Sequence, residues 1–162
     1  MVGTLLQPLN AMQQSNPELY AKYAQKYKGR EAIMQKRIPL LDCLWNDVIQ
    51  FLPLDPKKIF EKQVEMGFIH EVPPYKYFQI NQHVLDPDKT VVYFKTAPGE
   101  EHASVQWLRD VDFASLQQIP QATLNYYQSL AGRGEVPFNY QFVPHILYLG
   151  EVDVSSAQVV RL

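Results

Sequence analysis

A single cysteine, Cys43, stands in 162 residues, so no internal disulfide can form and one copy cannot assemble a thiolate-rich metal site. Long apolar runs are missing as well. No stretch approaches the roughly 18 residues that a bilayer span needs, and the opening residues lack the charged start, apolar run and small-residue cleavage site of a secretory leader. A reducing, cytoplasmic setting without membrane contact is the expectation. The 7 glycines and 12 prolines are too few and too scattered for a collagen-like or disordered chain.

Motifs with a named chemistry are scarce. The four histidines, His70, His83, His102 and His145, form no pair at metal-ligand spacing on a helix, and the His-Glu step at 70–71 runs into two prolines that end any helix. GRGE at 132–135 closes a helical pattern instead of opening one, the reverse of the strand-to-helix order that cradles phosphate. No serine lies in a G-x-S-x-G context. Glu100, Glu101 and His102 could do acid–base work if they converged on a pocket, but adjacent charges in a Pro-Gly loop are more often simply solvated. Cys43 reads as a small packed side chain in preference to a nucleophile. No cofactor and no metal are expected, and the balance leans away from an enzyme.

What remains is globular: 46% hydrophobic and 20% charged residues, in one domain over 1–162. Pro8 interrupts an aperiodic start, so 1–15 is expected to be an extended or loosely helical arm. From Asn16 the signals are those of a helix: an N-cap, Pro17 at the first position, Glu18 at the positive end of the dipole, and Gly29 as stop. On its wheel Leu19, Tyr20, Tyr23 and Tyr27 share one arc, with Lys22 and Lys26 at the edge. Met34, Ile38, Leu41, Trp45, Val48 and Leu52 then keep heptad spacing, which predicts a second helix, kinked or restarted at Pro39. A third helix is predicted after Asp55 and Pro56, ending at Gly67.

Beyond residue 70 the pattern turns to alternation. Residues 76–84 and 90–96 read as the two arms of a hairpin around a DPDK turn, and 105–111 as a third strand. Pro120 opens a helix whose Leu124, Tyr127 and Leu130 share a face before Gly132. FNYQFV (138–143) and HILYLGEVDV (145–154) read as strands, and AQVVRL (157–162) as an edge. The expected fold class is α+β, with N-terminal helices over about 16–66 packed with a mostly antiparallel C-terminal sheet containing one inserted helix.

Charge is distributed unevenly. Residues 1–70 carry nine Lys/Arg against seven Asp/Glu, whereas 71–162 carry six against ten. Lys22, Lys26, Lys28, Arg30, Lys36 and Arg37 concentrate near the front, opposed within 16–38 only by Glu18 and Glu31. Three functions follow as expectations. The first is a non-enzymatic accessory or structural subunit that associates with itself or a larger protein assembly through Leu19, Tyr20, Tyr23, Tyr27 and Trp45. The second is a ribonucleoprotein component whose six basic residues touch phosphates, possible within a larger complex although the pI near 6 lacks a strongly basic field. The third is a small enzyme or ligand-binding protein with an aromatic pocket on the sheet, formed by Tyr77, Tyr93, Trp107 and His83.

Overall fold

The computed structural model describes residues 3–162. In chain order the elements are β1 (Leu5–Leu6), α1 (Leu9–Ser15), α2 (Pro17–Ala24), β2 (Arg37–Ile38), β3 (Cys43–Leu44), β4 (Ile49–Phe51), α3 (Pro56–Glu65) and β5 (Lys76–Gln79). They continue with β6 (Thr90–Lys95), β7 (Ala103–Trp107), α4 (Phe113–Leu116), α5 (Gln121–Leu130), β8 (His145–Tyr148), β9 (Val152–Asp153) and β10 (Gln158–Arg161). The fold is α+β, and every strand pairing is antiparallel.

The centre is a four-stranded sheet ordered β4-β8-β6-β7. Thr90, Val91 and Val92 on β6 and Leu147 on β8 are wholly enclosed, because alternate side chains of one strand feed two different cores. Val92, Ile146 and Tyr148 pack on one face with Leu85, Leu116, Val152 and Val154. Val91, Tyr93 and Leu147 pack on the other with Ile38 and Val48. A third cluster lies beside the sheet, where Leu54 and Ile59 meet Tyr127 and Val143.

That third cluster is held by polar groups. Gln63 on α3, almost fully buried, donates from Nε2 to Tyr127 Oη and to Asn139 Oδ1, both at 3.2 Å. Tyr127 Oη donates in turn to the Asn139 carbonyl, and Thr123 Oγ1 donates to the Gln141 carbonyl at 2.8 Å. These bonds explain why 138–143 is a turn instead of the expected strand: its carbonyls are satisfied by α5 side chains, and Phe142 adopts a φ of 63°.

The front half departs furthest from expectation. Residues 31–52 form no second helix. They make a 3-10 turn (Glu31–Gln35), the β2–β3 hairpin, another 3-10 turn (Trp45–Asp47) and edge strand β4. Proline disfavours helical backbone at the residue before it, Ile38, and the chain reverses through Leu40 and Asp42 at φ of 71° and 49°. An Arg37–Asp42 ion pair clasps the hairpin ends. The heptad spacing therefore marks side chains that reach the core from a strand-and-turn backbone.

Two further corrections concern pairing. Residues 76–96 are not a hairpin: β5 pairs with β10, Phe78 opposite Val159, and β6 pairs with β7 and β8. Between β5 and β6, the Asn81 and Asp86 side chains accept from the His83 and Asp88 N–H groups and turn the chain away. The segment expected as an extended or loosely helical arm carries a short helix and is anchored. β1 pairs with β9, and α1 buries Met12 and donates from Asn10 Nδ2 to Asp47 Oδ1 at 2.6 Å. The strand expected over 105–111 is β7, which ends at Trp107 before a 3-10 turn at Leu108–Asp110. Two helix starts fall where expected: α3 begins at Asp55, whose side chain accepts from Lys57 N, and α5 follows Pro120.

Replacing Tyr127 by phenylalanine removes the hydroxyl that links Gln63 to Asn139. Urea unfolding of Tyr127→Phe should show a loss of about 1–3 kcal/mol, the cost of stranding buried polar partners. The exposed control Tyr23→Phe should stay within about 0.5 kcal/mol of the parent.

Candidate functional site

At the front, Asn16 caps α2 by accepting from Leu19 N at 3.0 Å. The apolar stripe predicted there is present but splits. Leu19 and Tyr20 are half-buried, and Tyr23 is 43% exposed. Tyr27, by contrast, is only 6% exposed and lies in the core. The cause is a change of helical pitch: α2 tightens into a 3-10 turn at Gln25–Tyr27, and each 3-10 residue rotates about 20° further than an α-helical one, carrying Tyr27 out of the arc.

Trp45 sits elsewhere. Its ring meets Tyr93 edge-on at 5.2 Å, and Lys36 Nζ stands 4.2 Å from the Tyr93 ring centre and 5.0 Å from that of Trp45. Lys36 also donates to Tyr93 Oη at 2.7 Å. The ammonium thus bridges two aromatic rings over the sheet, a cation–π contact made stronger by partial burial. Of the six basic residues, Lys36 is engaged there and Arg37 pairs with Asp42. Lys22, Lys26, Lys28 and Arg30 stay exposed along the front, with Arg30 Nη2 donating to the Lys26 carbonyl at 2.8 Å.

A cleft of about 960 Å3 lies between the β4–α3 connection and β5. Phe51, Ile146 and Phe113 line its apolar side. Tyr77 belongs to it and donates from Oη to Asp55 Oδ1 at 3.0 Å, tying β5 to the cap of α3. The sequence pairing of Tyr77 with Tyr93, Trp107 and His83 does not form: Tyr93 and Trp107 pack on the opposite face of the sheet, and His83 is exposed. Phe113 and Tyr140, which do line the cleft, are far from Tyr77 in the chain, and no spacing signal connects them.

Among the remaining reactive side chains, His102 Nε2 lies 3.5 Å from Glu101 Oε1 with both side chains exposed. His145 is different. Its Nδ1–H donates to the Val143 carbonyl at 2.8 Å, and burial holds the imidazole below its ordinary pKa despite that bond. It borders a depression of about 370 Å3 shared with Arg30 and Phe138. Among the described residues, no three His, Cys, Asp or Glu side chains gather as metal ligands, and no helix is long and apolar enough to cross a membrane.

Cys43 packs half-buried under the sheet, and its thiol is pushed up to about 11, first by burial and then by the Asp47 and Asp42 carboxylates. Folding therefore favours the protonated thiol. The stability this contributes is present below the unfolded pKa and is lost as pH rises through about 11. At pH 8, iodoacetamide should modify Cys43 roughly 100-fold more slowly in the folded protein than in denaturant, since only the thiolate reacts. Equal rates would show the thiol to be unprotected. Compared with known protein families, curated proteins and solved structures, the chain matches none.

Proposed function

We propose that this chain is a non-enzymatic association subunit that docks onto another protein through α2. One observation carries the reading: α3 buries Pro56, Ile59, Phe60 and Gln63, and α5 buries Thr123 and Tyr127, whereas α2 buries none of its residues. An amphipathic helix gains most of its stability from covering its apolar face. Leu19, Tyr20 and Tyr23 leave that cover incomplete, and Tyr23 offers a ring for burial with a hydroxyl for a wet rim. Lys22 and Lys26 flank the stripe, so the complementary partner carries acidic groups around an apolar centre. The lone cysteine supports a reducing, cytoplasmic setting. Tyr27 and Trp45 are committed to the fold and stand outside this face.

The test places a photoreactive benzoylphenylalanine at Tyr23 and, as a control, at Val159, within cells that make the protein naturally. Position 23 should yield a discrete cross-linked species, and Tyr23→Asp should weaken that association by at least about 10-fold without lowering the melting temperature. Cross-linking that is equal at both positions, or unaffected by Tyr23→Asp, overturns the reading. Light scattering across a concentration series decides whether the partner is a second copy.

One observation favours RNA as a second reading. Arg30 borders the same depression as Phe138, which is 70% exposed, so a cation and a stacking surface adjoin one another. If Lys22, Lys26, Lys28 and Arg30 each neutralise a phosphate, affinity for a single-stranded oligonucleotide should fall roughly 50-fold between 50 and 200 mM salt. Absence of binding at low salt disposes of it.

A further inference from the structure

Two strand edges border the large cleft, and the sheet registers fix which of their backbone groups point outward. Leu149 N donates to the Lys89 carbonyl at 2.9 Å. Bonded pairs alternate along an antiparallel ladder, so Leu147 faces β6 with its backbone groups, and Ile146 and Tyr148 turn theirs toward β4. Their β4 partners are Phe51 and Ile49. Gln50 between them therefore aims its N–H and C=O away from the sheet. The same argument applies to the ribbon of β5 and β10. Leu162 N donates to the Tyr75 carbonyl at 3.0 Å, which places Tyr77 and Gln79 in bonded pairs with β10 and leaves Lys76 and Phe78 with outward backbone groups.

Gln50, Lys76 and Phe78 all line the cleft. None of their outward backbone groups has a hydrogen-bond partner among the described residues. An open strand edge is a template for another extended chain. The surrounding side chains match one chemistry of occupant. The apolar side of the cleft is Phe51, Ile146 and Phe113, on the face where every second residue of an added strand would land. The Gln50, Gln79 and Gln82 carboxamides at the rim both donate and accept, as peptide groups do. Of the three charged side chains that line the cleft, Asp55 accepts from the Tyr77 hydroxyl and Lys57 N, Lys58 donates to the Gln117 carbonyl at 2.9 Å, and Lys76 is exposed on β5.

We propose that this cleft accepts an extended, uncharged segment of a partner protein, about four residues long, which adds as a strand along β4 and places alternate apolar side chains against Phe51. The length follows from the strand rise of about 3.3 Å per residue along the three- and four-residue edges of β4 and β5. This site is separate from the α2 face, and neither reading depends on the other.

A random seven-residue peptide display library panned on the intact protein provides the probe. The enriched peptides should carry apolar residues at alternate positions and few charges. Binding of the best synthetic peptide should fall at least about 10-fold in Gln50→Pro, which deletes an outward N–H without touching the sheet's own ladder. A second measurement needs no variant: N-methylation of every other peptide residue should abolish binding in one phase and spare it in the other, because only alternate backbone groups of an added strand face β4. Failure to enrich any peptide, or affinity indifferent to the phase of N-methylation, overturns the proposal. So does concentration-dependent self-association that disappears in Gln50→Pro, since the groove would then belong to a second copy.

Discussion

Strands β6 and β8 must be buried on both faces, and the rest of the architecture answers that demand. Thr90 to Val92 and Ile146 to Leu147 contact essentially no water, so apolar cover is required above and below the sheet. Thr90 is tolerated there because its Oγ1 donates to the Asp86 carbonyl at 2.6 Å. On one side the cover comes from the segment after β5, α4 and the β9 region. On the other it comes from the β2–β3 hairpin and Trp45. The front of the chain is thus drawn into the sheet's second core, with β4 entering the sheet itself.

This arrangement has a consequence at the edges. A central strand finds partners on both sides, but β4, β5 and β10 each have one side left over. A two-stranded ribbon is marginal unless something packs on it. Here Tyr77 ties it to Asp55, and the cap of α3 becomes the anchor of a strand far along the chain. The cleft exists because the ribbon is held near the sheet without joining its ladder.

Helix α2 stands at the opposite extreme of burial. It packs on α1, which is fastened to the turn at Asp47, so it is held through an intermediary and not by direct insertion into a core. Local stability should be lowest there, since few buried apolar contacts oppose its opening. The Gln63–Tyr127–Asn139 cluster shows the contrast: three polar side chains, each bonded, join α3, α5 and the following turn. Such a group is costly to satisfy in part, and complete satisfaction selects one arrangement of those elements.

The sequence by itself determined the features that depend on local chemistry. Asn16-Pro17 and Asp55-Pro56 start helices because cap and proline act within one turn, and the β-branched and aromatic run at 90–95 fits a strand by composition. The α+β class followed from those signals. Partner choice did not, since alternation at 76–79 specifies an extended backbone but says nothing of β10, some eighty residues later. Heptad spacing at 34–52 misled because Met34 to Leu52 must face a core in either a helix or a folded ribbon, and Leu40 and Asp42 settled it by turning left-handed. Tertiary structure alone buried Tyr27, left Tyr23 outside and brought Gln50 and Phe78 to one cleft. Exposure and convergence depend on which distant residues compete for the same core, and no window of neighbouring residues contains that competition.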